Sequence, residues 1–154
     1  MRTEKESITC TRRIQFCAGH RVMGHESKCA HLHGHNYVAM LTAQSTTETD
    51  TDGIGRVVDF SVLKERVGGW VEDKWDHGFI LHEDDDAGWA AMAVFSQESG
   101  VQQKVATIGV NPTAENMANH LLRAVGPLVL EDTGVELVAV RLWETENCYA
   151  DATL

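Results

Sequence analysis

Between Lys28 and Tyr37 the chain reads KCAHLHGHNY, which puts Cys29, His31, His33 and His35 on alternate residues. Imidazole nitrogens and thiolates are the side chains that bind zinc and its neighbours, and residues two apart on an extended chain share one face. His33 and His35 are therefore a ready pair of ligands. A third imidazole from an adjacent strand would leave one tetrahedral position of a zinc ion open, as in catalytic rather than structural sites. His20, closing the segment Phe16-Cys-Ala-Gly-His20, is placed to supply it. His31 competes on spacing alone. Cys29 has two readings: a further ligand, or a thiol kept off the metal that a nearby cation and Lys28 activate as base or nucleophile. Six extended residues span roughly 20 Å, so Cys29 reaches the site of His35 only if the chain folds back. The scattered His25, His82 and His120 read as solvated surface residues.

These side chains need a scaffold, and the hydrophobic period outlines one. Residues Ile8 to Ala18 alternate as a strand, and Asn36 to Ala43 has the β-branched and aromatic content of a second. The two form an antiparallel pair across the loop from Arg21 to Lys28. From Asp59 the period becomes helical, with Phe60, Leu63, Val67, Trp70, Val71 and Trp75 on one stripe behind a capping acid. Gly68-Gly69 weakens that helix. Glu83 to Phe95 predicts a short helix and Lys104 to Ile108 a short strand. Asn111-Pro-Thr-Ala-Glu-Asn opens another helix, with Met117, Ala118, Leu121, Leu122 and Val125 inward and Gly126-Pro127 as its stop. Val135 to Trp143 and Cys148 to Thr153 read as a final hairpin. The order fits an α+β fold with helices on one face of an antiparallel sheet. Its bare edges favour pairing with further copies.

A chain of 154 residues, 43% of them apolar, is expected to form one domain over residues 1–154. A net charge of −10 argues against sequence-independent nucleic-acid binding. The absence of a long apolar run and of a leader-like N-terminus predicts a cytoplasmic protein without membrane contact. Its four cysteines are then expected as free thiols, with Cys17 read as a small packed residue.

Taken in order, Phe16-Cys-Ala-Gly-His20, Cys29-x3-His33-Gly-His35-Asn-Tyr, Trp75-Asp-His77, Asn111-Pro-Thr-Ala-Glu115-Asn and Glu144-Thr resemble the 6-pyruvoyltetrahydropterin synthase / 6-carboxytetrahydropterin synthase family. The resemblance implies the tunnelling fold (T-fold): a four-stranded antiparallel sheet with two helices packed on one face, joined into an oligomeric barrel as trimers or hexamers. It implies zinc on His20, His33 and His35, an acid/base group of Cys29, Asp76 and His77, and pterin binding by Glu144 and Glu115. The spacing of Cys29, with three residues between it and the first histidine of His33-Gly-His35, is most like the 6-carboxytetrahydropterin synthases of queuosine (7-deazaguanine) biosynthesis. A related folate-pathway subgroup carries glutamate in place of this cysteine.

The activity so implied is that of a zinc-dependent carbon-carbon lyase. It converts 7,8-dihydroneopterin triphosphate to 6-carboxy-5,6,7,8-tetrahydropterin, acetaldehyde and triphosphate. A 6-pyruvoyltetrahydropterin synthase and a non-catalytic pterin-binding protein of the same fold are the alternatives. Arg12, Arg13, Arg21, Lys28 and Arg56 are candidate cations for the triphosphate. The stretch from Glu83 to Gly109, where the resemblance is weakest, reads as surface decoration.

Overall fold

The computed structural model describes residues 7–154. Six strands, β1 (Thr9–His20), β2 (His33–Ser45), β3 (Gly78–His82), β4 (Val105–Ile108), β5 (Val135–Thr145) and β6 (Cys148–Thr153), form one sheet in the order β4-β3-β1-β2-β5-β6. Helix α1 spans residues 60–74, α2 spans Asp86–Ser99, and α3 spans residues 114–130.

The expected four antiparallel strands are present as β1, β2, β5 and β6. The sheet is nevertheless mixed and six-stranded, which corrects the four-stranded expectation. β3 runs parallel to β1 through Ala18, Gly19 and His20 only, and β4 runs parallel to β3. The segment GFILH escapes the period test because five residues directly behind a helix are too few for alternation to show. The stretch from Glu83 to Gly109 is likewise no ornament. It supplies α2 and β4, and Asp85 at its start is buried.

Alternation along β2 buries Tyr37, Ala39, Leu41 and Ala43, and register puts Phe16 and Ala18 of β1 on the same side. Against this face pack Leu63, Val67 and Val71 of α1 and Met117, Ala118, Leu121, Leu122 and Val125 of α3, forming one continuous core. The opposite face carries Arg13, Gln15 and Cys17 and is open to solvent. The helices α1 and α3 thus lie on one face, as anticipated, whereas α2 packs through Gly88 against Leu81, which alternates with Ile80 of that core and so faces the other side.

Gly126-Pro127 does not stop α3, which continues to Leu130. A proline inside a helix crowds the carbonyl four residues back. The π-turn at Leu121–Val125, directly before it, widens the backbone where that clash would fall. Gly126 serves packing instead: a Cβ there would lie 3.1 Å from Leu137 of β5. Among the described residues no helix is long and apolar enough to cross a membrane.

Candidate active site

Full pairing of β1 with β2 decides where the histidines go. His20 stands opposite His33 and Ala18 opposite His35, so all three rings emerge on the helix-covered face, one step beyond Tyr37. Their centroids form a near-equilateral triangle with sides of 4.5, 4.9 and 5.1 Å. His20 Nδ1 is 2.7 Å from the Pro112 carbonyl and His33 Nδ1 is 2.7 Å from that of His31. Donation of Nδ1–H to these carbonyls leaves both Nε2 lone pairs pointing inward, 2.9 Å apart. Two lone pairs this close repel unless a cation or shared proton lies between them.

Burial is the main force on His20, lowering its pKa to about 4; the Pro112 carbonyl opposes this, and the neighbouring imidazoles add to it. It is a neutral donor near pH 7. Burial also lowers His35, against the pull of the Glu144 charge. His35 Nε2 lies 3.0 Å from Glu144 Oε1 but outside hydrogen-bond geometry, so this buried nitrogen has no hydrogen-bond partner among the described residues. Ligand atoms of His20, His33, His35 and Glu144 all fall within 4.8 Å of one another. Imidazoles with outer nitrogens anchored on His20 and His33, an unpartnered inner nitrogen on His35 and one carboxylate fit a divalent cation. Tetrahedral zinc would hold its nitrogens about 3.3 Å apart at its usual bond length, a few tenths of an ångström wider than the His20–His33 gap.

Tyr37 lies beneath the triangle, its hydroxyl 3.2 Å from His20 Nδ1. Burial first, then the nearby Glu144 and Cys29, push its ionisation well above the ordinary range, so it stays protonated. Sequence spacing alone could have located it, two residues beyond His35. The Pro112 carbonyl, 92 residues from His20, has no sequence signature.

Cys29 belongs to a 3₁₀ turn, Lys28–Ala30, and its sulfur is not among the four converging donors. Nor is His31, which contributes its carbonyl rather than its ring. Glu115, in the first turn of α3, is exposed and stands apart from the four.

Asp76 and His77 are elsewhere. His77 Nδ1 is 2.8 Å from Asp76 Oδ2, and Asp76 Oδ1 accepts the Cys17 amide at 2.9 Å. Burial raises the Asp76 carboxyl, but the Cys17 amide, His77 and Lys104 more than offset it, leaving its pKa lowered. His77 has φ = 58°, a left-handed backbone held by the hydrogen bond its amide donates to the Cys17 carbonyl at 2.7 Å. Such a conformation costs on the order of 1–3 kcal/mol for a residue with a Cβ. Its ring is 79% exposed and lines a concavity with Cys17, Asn36 and Phe79. Cys17 and Asn36 are each one residue out of step with Ala18 and His35, so this concavity opens on the face away from α1 and α3. Within one chain the imidazole triangle and the Asp76–His77 pair therefore occupy opposite faces of the sheet.

Three expectations need correcting. Cys17 is exposed rather than packed, and its thiol donates to Asn36 Oδ1 at 2.8 Å. The strand alternation already put it opposite Phe16 and Ala18. His120 is not solvated: it stacks on Trp75 and tilts against Trp70, and burial lowers its pKa. His82 is mostly covered as well. Among the phosphate-binding candidates, Arg21 is committed to Asp85 and Arg56 to Asp52 and Asp59. Arg13 makes no ion pair among the described residues and borders a groove of about 810 Å³ that also touches His35, Asn36, Trp143 and Glu144.

Fold and donor set together define a class: α+β proteins in which an antiparallel ribbon presents three imidazoles beside a carboxylate on the side that helices cover. A family model described as 6-pyruvoyl tetrahydropterin synthase matches residues 9–153, and the chain belongs to that family. It is 42% identical over 144 residues to a 6-carboxy-5,6,7,8-tetrahydropterin synthase of Rickettsia bellii, covering 94% of this chain and 99% of the relative. With the protein of the same name from Aquifex aeolicus it shares 31% identity, covering 97% and 88%. An uncharacterized protein of Wolinella succinogenes superposes with a TM-score of 0.76 at 22% identity, covering 95% of this chain and 97% of that one. The 6-pyruvoyl tetrahydropterin synthase of Caenorhabditis elegans gives 0.63, also at 22%, covering 96% and 95%. These two share the fold.

Proposed function

We propose that the protein is a cytoplasmic, zinc-dependent carbon-carbon lyase. Its substrate is 7,8-dihydroneopterin triphosphate, and its products are 6-carboxy-5,6,7,8-tetrahydropterin, acetaldehyde and triphosphate, on the route to queuosine. The observation that carries this reading is the convergence of three imidazoles beside Glu144, in a chain so similar over its length to relatives bearing that enzyme's name.

His20, His33 and His35 would hold the zinc, which when bound supplies Lewis acidity toward the hydroxyls of the substrate side chain. Glu144 offers a carboxylate to a pterin edge with two N–H donors, a pairing that fixes orientation. Glu115 is a second acid for the pterin, and Arg13, which like His77 lies on the face away from the triangle, borders a groove shared with Glu144 and is a phosphate candidate for this site or a neighbouring copy's. Cys29, as thiolate, takes and returns protons at the side-chain carbons. His77, oriented by Asp76, is the second acid/base group.

Because His77 lies across the sheet from the triangle, we infer that it serves the site of a neighbouring copy. Among the described residues, β6 has no partner on its outer edge, and β1 pairs only with β2 from Thr9 to Cys17. Strand edges of that kind join copies into a closed barrel, as a trimer or a hexamer.

Incubating the zinc-loaded protein with 7,8-dihydroneopterin triphosphate tests the reading. Acetaldehyde, triphosphate and the 6-carboxy product are expected in equal amounts. Triphosphate release without acetaldehyde would instead indicate a 6-pyruvoyltetrahydropterin synthase, and no turnover would reduce the protein to a pterin binder.

A further inference from the structure

The turn that carries Cys29 is not part of the sheet. It has no side-chain cap and buries none of its own residues, so other groups must hold it. The Val22 amide donates to the Cys29 carbonyl at 2.8 Å. Arg21 donates through Nη1 to the Ala30 carbonyl at 3.2 Å, and its Nε and Nη2 grip Asp85 at 2.6 and 2.8 Å. The carboxylate is 1% exposed and also accepts the Gly88 amide at 3.0 Å. Gly88 is needed there, because a Cβ would lie 2.8 Å from Asp85 Oδ2.

One guanidinium thus joins three places: the end of β1, immediately after His20; the Cys29 turn; and the segment before α2. A buried ion pair is weak evidence of stabilisation, because desolvation offsets much of the attraction. Its bidentate geometry does fix orientation.

We propose that Asp85 and Arg21 are positioning residues that set the Cys29 turn against the imidazole triangle, making the segment around α2 part of the active-site architecture. The catalytic consequence rests on the reading of Cys29 as the proton-transferring thiol. The geometric claim does not.

Asp85→Asn in the full-length, zinc-loaded protein keeps a good helix cap while removing the charge that holds the fork. Peptide-resolved alkylation by iodoacetamide, with exposed Cys148 as internal reference, should show Cys29 reacting several-fold faster than in the unmodified protein. Amide exchange over residues 22–30 should rise. kcat should fall about tenfold, the scale seen when outer-shell partners are removed, with KM and zinc content held. Arg21→Lys should act in the same direction, because one ammonium cannot span both acceptors.

A folded variant with unchanged Cys29 alkylation and unchanged kcat overturns the proposal, even if its melting temperature drops. Should neither variant fold, the unmodified protein decides: amides of residues 22–30 exchanging as fast as those of the exposed loop 46–55 overturn it, and strand-like protection supports it. If Cys29→Ala retains turnover, the catalytic reading of the thiol fails, while alkylation and exchange still judge the clamp.

Discussion

The imidazole triangle and the Cys29 turn are neighbours built on different principles. Twelve consecutive register pairs between β1 and β2 hold the rings, and two backbone carbonyls orient them. The turn has no ladder; beyond a few local backbone bonds such as Val22 to Cys29 it depends on single side chains, the Asp85–Arg21 fork and, on the loop leading into it, Asn111, which binds both the amide and the carbonyl of Met23 at 2.9 Å. A paired ribbon prepays ligand geometry across many hydrogen bonds, whereas a clamped turn concentrates it in a few. Loss of one strand bond should therefore be absorbed, and loss of one clamp should be felt at the thiol.

The sharpest way to break the comparison is at the triangle. His33→Ala should abolish stoichiometric metal and turnover together; one ion per chain surviving dialysis would refute the ligand set. Cys29→Ala should lower kcat about 10²- to 10⁴-fold, the usual span for acid/base groups, at full metal content. Mixing subunits of Cys29→Ala with subunits of His77→Ala should restore part of the activity that each has lost. Failure of mixed oligomers to recover would show that the two groups do not meet across copies.

A pH titration tests the triangle more gently. In the metal-free protein His20 has a folded pKa near 4 against 6.5 when unfolded. Between those values the unfolded chain binds the proton that the folded chain refuses. Stability is thus complete above about pH 6.5 and declines as pH falls toward 4, by on the order of 3 kcal/mol. Urea unfolding across that range checks the sign. Least drastic, Asn111→Ala should cost about 1–2 kcal/mol and loosen the Cys29 turn while leaving metal affinity unchanged.

Much of this was legible in order along the chain. Alternation predicted β1, β-branched and aromatic content predicted β2, β5 and β6 were read as a hairpin, and the stripes of α1 and α3 predicted which of their residues turn inward. The i, i+2 spacing selected His33 and His35 as a pair. What escaped was short or distant: β3, five residues long; continuation of α3 through Pro127 by a π-turn; and Asp85, whose place in an acidic run resembled any solvated helix start. Cys17 was misjudged for another reason, since a small apolar side chain on an alternating strand packs only if its own face is covered.

By itself the sequence determined which side chains share a face, because strand and helix periods are local and repeat every two or 3.6 residues. It also determined that imidazoles and a thiol would be close along the chain. Only the tertiary structure decided that His20 meets His33 ring to ring, that Glu144 reaches His35, that Arg21 spends its charge on Asp85, and that His77 faces the other side of the sheet. Those outcomes depend on register and packing between segments tens of residues apart, which no local period encodes.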